Sequence, residues 1–266
     1  MEQQIVTLTT DWGYRDFFAG MVKGKLYSYI PGVTVVDISH GIDPYDLRAA
    51  LFVARQACPG FPKGTIHIID VRSSFSPDTP FIVAYRNGQY YICTDNGLPY
   101  SLFGDDPSDI VAIDNLGPES RFLTFAANDL FCKVAAMIAH GSSLSDLGSP
   151  VQRLTHITPY NNTLQPDGLT TYIAYIDAYG NADLHITYDE FERLRQGRPF
   201  DMTVHEIHLS DISPSYFSAS SAGNNRASVL LTVSSTGHLQ IAIREGSAEQ
   251  LLGLRIMESI KVKFKV

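Results

Sequence analysis

The first apolar run of the chain, Ile5-Val6-Thr7-Leu8, is short and rich in β-branched residues, and it stops at the polar turn Thr9-Thr10-Asp11-Trp12-Gly13-Tyr14-Arg15-Asp16. Hydrophobic spacing then changes from strand-like to helix-like, and the same change recurs along the first 150 residues. The pattern predicts strands over 5–8, 34–38, 65–69, 81–85, 90–94 and 110–113, and helices near 17–29, 45–57, 96–103 and 128–140. Alternating β and α elements predict a mostly parallel sheet with helices on both faces. After the break Gly148-Ser149-Pro150 and the polar stretch 159–168, short alternating strands follow over 169–176, 183–187, 200–209, 229–233 and 238–244. These predict a second, all-β domain in the form of a barrel. The expected division is an α/β sandwich domain over residues 1–155 and a C-terminal β-barrel over 165–266.

Composition narrows this picture. With 266 residues, 44% of them apolar and 11% aromatic, the chain can build a sizeable core without covalent staples. Its three cysteines are odd in number, far apart and set in apolar sequence, which predicts buried reduced thiols in a reducing, cytoplasmic compartment. The start Met-Glu-Gln-Gln has no basic segment followed by an apolar one, and no run approaches the roughly 18 apolar residues of a membrane span. A formal charge of -8 disfavours nucleic acid or an anionic membrane as partner and favours a neutral or cationic small ligand.

Common chemical signatures do not occur: there is no phosphate loop, dinucleotide fingerprint, nucleophile elbow, H-E-x-x-H or C-x-x-C. His205-Glu206-Ile207-His208, read as part of one strand, places its histidines on opposite faces and is expected to be a surface strand. Polar clusters do stand at the ends of predicted strands, where open α/β sheets build ligand sites. They are Asp11 and Asp16, Asp37 and His40, Asp43-Pro44-Tyr45-Asp46, Asp70 and Arg72, and Thr94-Asp95-Asn96-Gly97. In the β-rich half, Ile176-Asp177-Ala178-Tyr179-Gly180-Asn181 and Ser234-Ser235-Thr236-Gly237 are predicted turns. Each cluster alone is also what an ordinary turn is made of.

Taken in order, the clusters resemble the S-adenosyl-L-methionine hydroxide adenosyltransferases, a group that includes enzymes fluorinating or chlorinating S-adenosylmethionine. The likeness runs nearly end to end: Thr-Thr-Asp-x-Gly at 9–13, Val35-Val36-Asp37-Ile38-Ser39-His40, Pro44-Tyr45-Asp46, Phe61 to His67, Asp95-Asn96-Gly97-Leu98, Thr124-Phe125 with Asp129-Leu130-Phe131, Ile176-Asp177 with Gly180-Asn181, and Ser235 to Leu239 followed by Ile241-Ala242. The resemblance implies an α/β domain plus a C-terminal barrel, and S-adenosylmethionine or adenosine as ligand, with no metal or other cofactor. It implies that Asp11 accepts both ribose hydroxyls and that Asp16 supports its loop. Tyr45 matches a position that packs against the sugar and adenine, its alternative being an aromatic buried at the start of a helix. Asp177 and Asn181 match residues holding the amino-acid part and the adenine, while Ser235, Thr236, Ile243, Arg244 and Glu245 match further contacts. A homotrimer is implied, its site lying between the α/β domain of one subunit and the barrel of the next.

In the hydrolytic members an Asp, Arg and His set activates the water. Counting on from Gly64-Thr65, the Asp position falls on Arg72 and the Arg position on Thr79, while His-Gly-Arg-Asp becomes Ala126-Ala127-Asn128-Asp129. Asp70 lies two residues early on the same strand face and is the expected substitute. Asn128 can orient a water but cannot take its proton. The expectation is therefore a slow hydrolase forming adenosine and methionine, with Asp70, Arg72 and Asn128 as its catalytic set. The alternative is a protein that kept the pocket for adenosine or S-adenosylmethionine and lost catalysis. A third reading keeps the fold and uses another nucleophile, with Arg72 drawing in an anion.

Overall fold

The predicted alternation of strands and helices is present in a computed structural model, which describes residues 3–117, 123–158, 160–217 and 229–265. The chain forms two units, Met1–Pro159 and Tyr160–Val266. In the first, β1 (Ile5–Thr10), α1 (Phe18–Tyr29), β2 (Thr34–Ser39), α2 (Leu47–Ala57) and β3 (Ile66–Asp70) are followed by β4 (Phe81–Arg86), β5 (Gln89–Thr94), α3 (Leu98–Phe103) and β6 (Ile110–Ala112). A π turn over Ala127–Phe131 leads into α4 (Cys132–Ala139), and α5 (Leu144–Leu147) and β7 (Ser149–Pro150) complete the unit.

The strand order is β2-β1-β3-β5-β4-β6-β7. Strands β2, β1, β3 and β5 run parallel, whereas β4, β6 and β7 join antiparallel. The sheet is thus mixed, and its parallel character is confined to one half. The cause is local: Asn87 and Gly88 both adopt positive φ (52° and 84°), so Arg86 pairs directly with Gln89 and β4 returns as a hairpin. Asn-Gly is the sequence best suited to that two-residue turn. Helix α1 buries Ala19, Val22 and Leu26, three and four residues apart, against a core containing Val6, Leu8, Ile66, Ile68, Phe81 and Phe131. Strand β1 lies between β2 and β3, with Thr9 opposite Ser39 and Thr10 opposite Asp70. Three loops therefore leave the sheet side by side.

The second unit contains β8 (Thr163–Gln165), β9 (Gly168–Ile176), β10 (Ala182–Thr187), α6 (Tyr188–Arg195), β11 (Phe200–Val204), β12 (Ile207–Leu209), β13 (Val229–Val233), β14 (His238–Ile243), α7 (Ala248–Leu252) and β15 (Ser259–Phe264). Its antiparallel, barrel-like sheet has the order β12-β11-β15-β9-β10-β14-β13, with β8 on β9. The core holds Ile173, Leu184, Phe191, Met202, Leu239, Ile241 and Val262. The run expected as one strand over 200–209 is a hairpin, because His205 takes φ 53° and Val204 pairs with Ile207. Its two histidines are consequently exposed and separately paired, His205 with Glu258 (2.6 Å) and His208 with Asp201 (3.0 Å). Two short helices interrupt what the sequence reads as purely β; α6 is capped by Thr187, whose hydroxyl accepts the Glu190 N–H.

Candidate active site

Asp11 follows the last residue of β1, and its Oδ2 accepts the main-chain N–H of Tyr45 at 2.8 Å and, more weakly, that of Arg72 at 3.4 Å. One carboxylate oxygen thus ties the loops after β2 and β3 to the central strand. Both donors have left-handed backbone, φ 70° at Tyr45 and 50° at Arg72, which is costly for side chains of this size. Such strain persists where surrounding bonds impose it, and the shared acceptor is one of them. A carboxylate has about four acceptor sites, so Asp11 retains capacity for a ligand's hydroxyls. Tyr45 is 71% exposed, so its ring is not part of the core. Its neighbour Asp46 caps α2, accepting from the N–H groups of Arg48 and Ala49 at 2.9 and 3.1 Å.

Asp70, the last residue of β3, is only 5% exposed. Its Oδ2 accepts the indole N–H of Trp12 at 2.8 Å. Burial pushes its pKa up to about 6; the donors Ser73 and Trp12 oppose that rise and the charge of Asp11 adds to it. Trp12 is held from two sides, stacked on the His40 ring at 5.5 Å and edge-on to Phe125 at 5.1 Å. His40 is fully buried, with Nδ1 2.6 Å from Thr10 Oγ1 and Nε2 3.1 Å from Asp37 Oδ1. Burial lowers its pKa, while the nearby Asp37 carboxylate acts in the opposite direction. Burial would raise the pKa of Asp37, but Lys23, whose Nζ donates to it at 2.6 Å, and His40 together hold it below the usual carboxylate range.

The remaining expected catalytic positions are dispersed. Arg72 acts here through its main chain, its carbonyl accepting from Asn96 Nδ2 at 3.2 Å, while its guanidinium side chain is exposed. Thr79 is engaged with Ser76 in a local turn, hydroxyl to hydroxyl at 2.7 Å. Ala126 and Ala127 are buried in the core. Asn128 sits in the π turn, where its side chain donates to Asp129 Oδ1 at 3.0 Å and its carbonyl accepts from Lys25 at 2.9 Å. No hydrogen bond joins Asn128 to Asp70 among the described residues; from that segment it is Phe125 that touches Trp12. Asp16 is exposed ahead of α1 and makes no hydrogen bond among the described residues.

In the second unit, Asp177 organises its own turn. Oδ1 accepts the N–H groups of Tyr179 and Asn181, and Oδ2 accepts from Asn181 Nδ2, all at 2.9 Å. Gly180 provides the required φ of 78°. Ser235 is exposed in the turn before β14, and Thr236 Oγ1 lies 2.7 Å from Ser234 Oγ and 3.0 Å from His238 Nδ1. Ile243 buries its side chain in the core, Arg244 lies over the Phe217 ring at 4.8 Å, and Glu245 takes φ 53° at the turn beyond β14. Sequence reading missed a polar group beside Asp177. Asp183 on β10 accepts from Gln240 Nε2 on β14 at 3.2 Å, and Gln240 Oε1 accepts from Tyr216 at 2.7 Å. Burial raises Asp183 to about 6, helped by the charge of Asp177 and opposed by Ser234 and Gln240. The signal available was strand register, which sets Asp183 opposite Gln240.

Two family models match the chain, the SAM hydroxide adenosyltransferase N-terminal domain over residues 6–148 and its C-terminal domain over residues 171–261. A protein of Salinispora tropica named (R)-S-adenosyl-L-methionine hydrolase is 28% identical over 97% of both chains. One of the same name from Thermus thermophilus is 26% identical over 94% of this chain and 96% of its own. A fluorinase of Actinopolyspora mzabensis is 24% identical over 97% and 96%. Among solved structures, a conserved protein of Thermotoga maritima shares the fold with a TM-score of 0.83, at 22% identity and covering 98% of this chain and all of that one. Matches to both domain models, together spanning most of the chain and its strand-end loops, place this protein in the SAM hydroxide adenosyltransferase family.

Proposed function

We propose that the protein hydrolyses S-adenosylmethionine to adenosine and L-methionine. Water attacks C5′ of the ribose; the new C5′–O bond forms as the C5′–S bond breaks, and its electron pair returns to sulfur. The sulfonium leaves as a neutral thioether, so no Lewis acid is needed for a departing charge. Asp70 takes the proton that the water loses. With a pKa of about 6 it is ionised by roughly ten to one at pH 7 and yet is basic enough to accept that proton. The single observation that carries the reading is this buried carboxylate, raised in pKa and standing beside Asp11 where the ends of β1 and β3 meet. Asp11 anchors the ribose and exposed Tyr45 covers it. Asp177 and Asn181 hold the rest of the ligand from a neighbouring subunit of a homotrimer, and the protein works in the cytoplasm, as its three free, buried cysteines suggest.

A second reading, a binding protein without turnover, is favoured by Ala126 and Ala127, which offer no proton acceptor. Chromatography of S-adenosylmethionine incubated with the protein separates the two. Adenosine and methionine in equal amounts, lost on Asp70→Asn, support hydrolysis; calorimetric binding with no product supports the binder.

A further inference from the structure

Trp12 is the sole tryptophan of the chain, and it occupies the variable position of the Thr-Asp-x-Gly turn. Its ring is clamped between His40 and Phe125, which leaves its N–H a fixed direction. That N–H reaches Oδ2 of a buried carboxylate 58 residues away in sequence. Oδ1 of Asp70 and the hydroxyl of Ser73 are both buried; Ser73 lies close enough to hold the carboxyl's pKa down, but neither atom completes a hydrogen bond of normal geometry among the described residues. Oδ2 is therefore tethered, whereas Oδ1, buried as well, keeps its acceptor capacity unused.

We propose that Trp12 is the positioning residue of the Asp70 carboxylate, its indole N–H fixing Oδ2 so that Oδ1 is the oxygen presented to the attacking water. This rests on the hydrolase reading for its consequence, but the tether itself does not. An N–H donor stabilises a carboxylate over its protonated form, so Trp12 also keeps Asp70 more acidic than its burial alone would. The other charged or titratable groups around the pair are Asp11 at the end of β1 and, behind the stacked ring, His40 with Asp37, Lys23 and Tyr14.

Because Trp12 is alone, its intrinsic fluorescence reads this contact without any need for turnover. In the whole protein, fluorescence followed from pH 8 to pH 4.5 is expected to show a transition with a midpoint near 6 that Asp70→Asn abolishes. A transition that survives in Asp70→Asn, or no transition at all, overturns the tether. The catalytic consequence is read with Trp12→Phe, which keeps an aromatic ring between His40 and Phe125 while removing the N–H donor along with part of the ring. Its acid limb of kcat is expected to move up by about one pH unit, with KM for S-adenosylmethionine changed less than twofold, the size a charged hydrogen bond commands. An acid limb left in place, or a rise in KM with kcat intact, overturns the positioning role. Should the protein prove unable to hydrolyse S-adenosylmethionine, the hydrolase reading fails while the fluorescence titration still decides the tether.

Discussion

Asp70 holds its proton to about pH 6 in the folded chain but only to about 3.8 when unfolded. Between those values the native state binds more protons, so stability falls as pH rises through the window and stays lower above it. A carboxylate kept ionised in such a place costs stability, on the order of 3 kcal/mol at most. Asp70→Asn should therefore raise the melting temperature at pH 8, have little such effect near pH 3, and lower turnover by about 10² to 10⁴; calorimetric melts at the two pH values and a rate assay check this. A lower melting temperature at pH 8 would contradict it. Asp11→Ala should weaken adenosine binding by about 10- to 100-fold, since it removes acceptors for charged hydrogen bonds and frees the strained Tyr45 and Arg72 loops; titration calorimetry measures it, and unchanged affinity removes Asp11 from the site. The placement of Asp11 and Tyr45 in loops at strand ends was legible in the sequence because their motifs are local. Trp12 was not, since nothing near it marks the carboxylate it meets after the chain has run through α1, β2 and α2.

The loops decide which elements tolerate change. Ala at Gly180 meets two obstacles: a φ of 78° and a Cβ that would overlap the Ser247 side chain. Ala at Gly13 meets only its φ of 65°, with open space around the new carbon. Gly180→Ala should accordingly lower the melting temperature by several degrees more than Gly13→Ala, whose cost is about 1 kcal/mol of backbone strain. Thermal melts of the two variants test this, and equal losses would show that Ser247 gives way freely. At this scale the sequence revealed the long, regular elements and hid the short or paired ones. Strand β15 alternates exposed and buried residues and sits in the middle of its sheet, yet its lysines mask it as surface. Helix α6 is polar and eight residues long, and its Thr187 cap is an ordinary end for the preceding strand as well. The mixed sheet and the split of 200–209 both turn on two-residue hairpins, where one or two left-handed residues reverse a run that periodicity alone would continue.

For the whole molecule, the change in hydrophobic period past residue 150 exposed the division into an α/β unit and a β unit, because parallel buried strands and half-exposed antiparallel strands carry different patterns. Assembly leaves no such trace in one chain. The proposed homotrimer predicts sedimentation as three chains at micromolar concentration; a monomer that still turns over would remove the shared site. The most direct measurement is incubation of the purified protein with S-adenosylmethionine, with adenosine and methionine separated and counted over pH 5 to 8. The account predicts equal amounts of the two products, formed at a rate that falls below about pH 6 and drops by about 10² to 10⁴ in Asp70→Asn. Recovery of S-adenosylmethionine unchanged after long incubation, or a rate indifferent to Asp70, would contradict it.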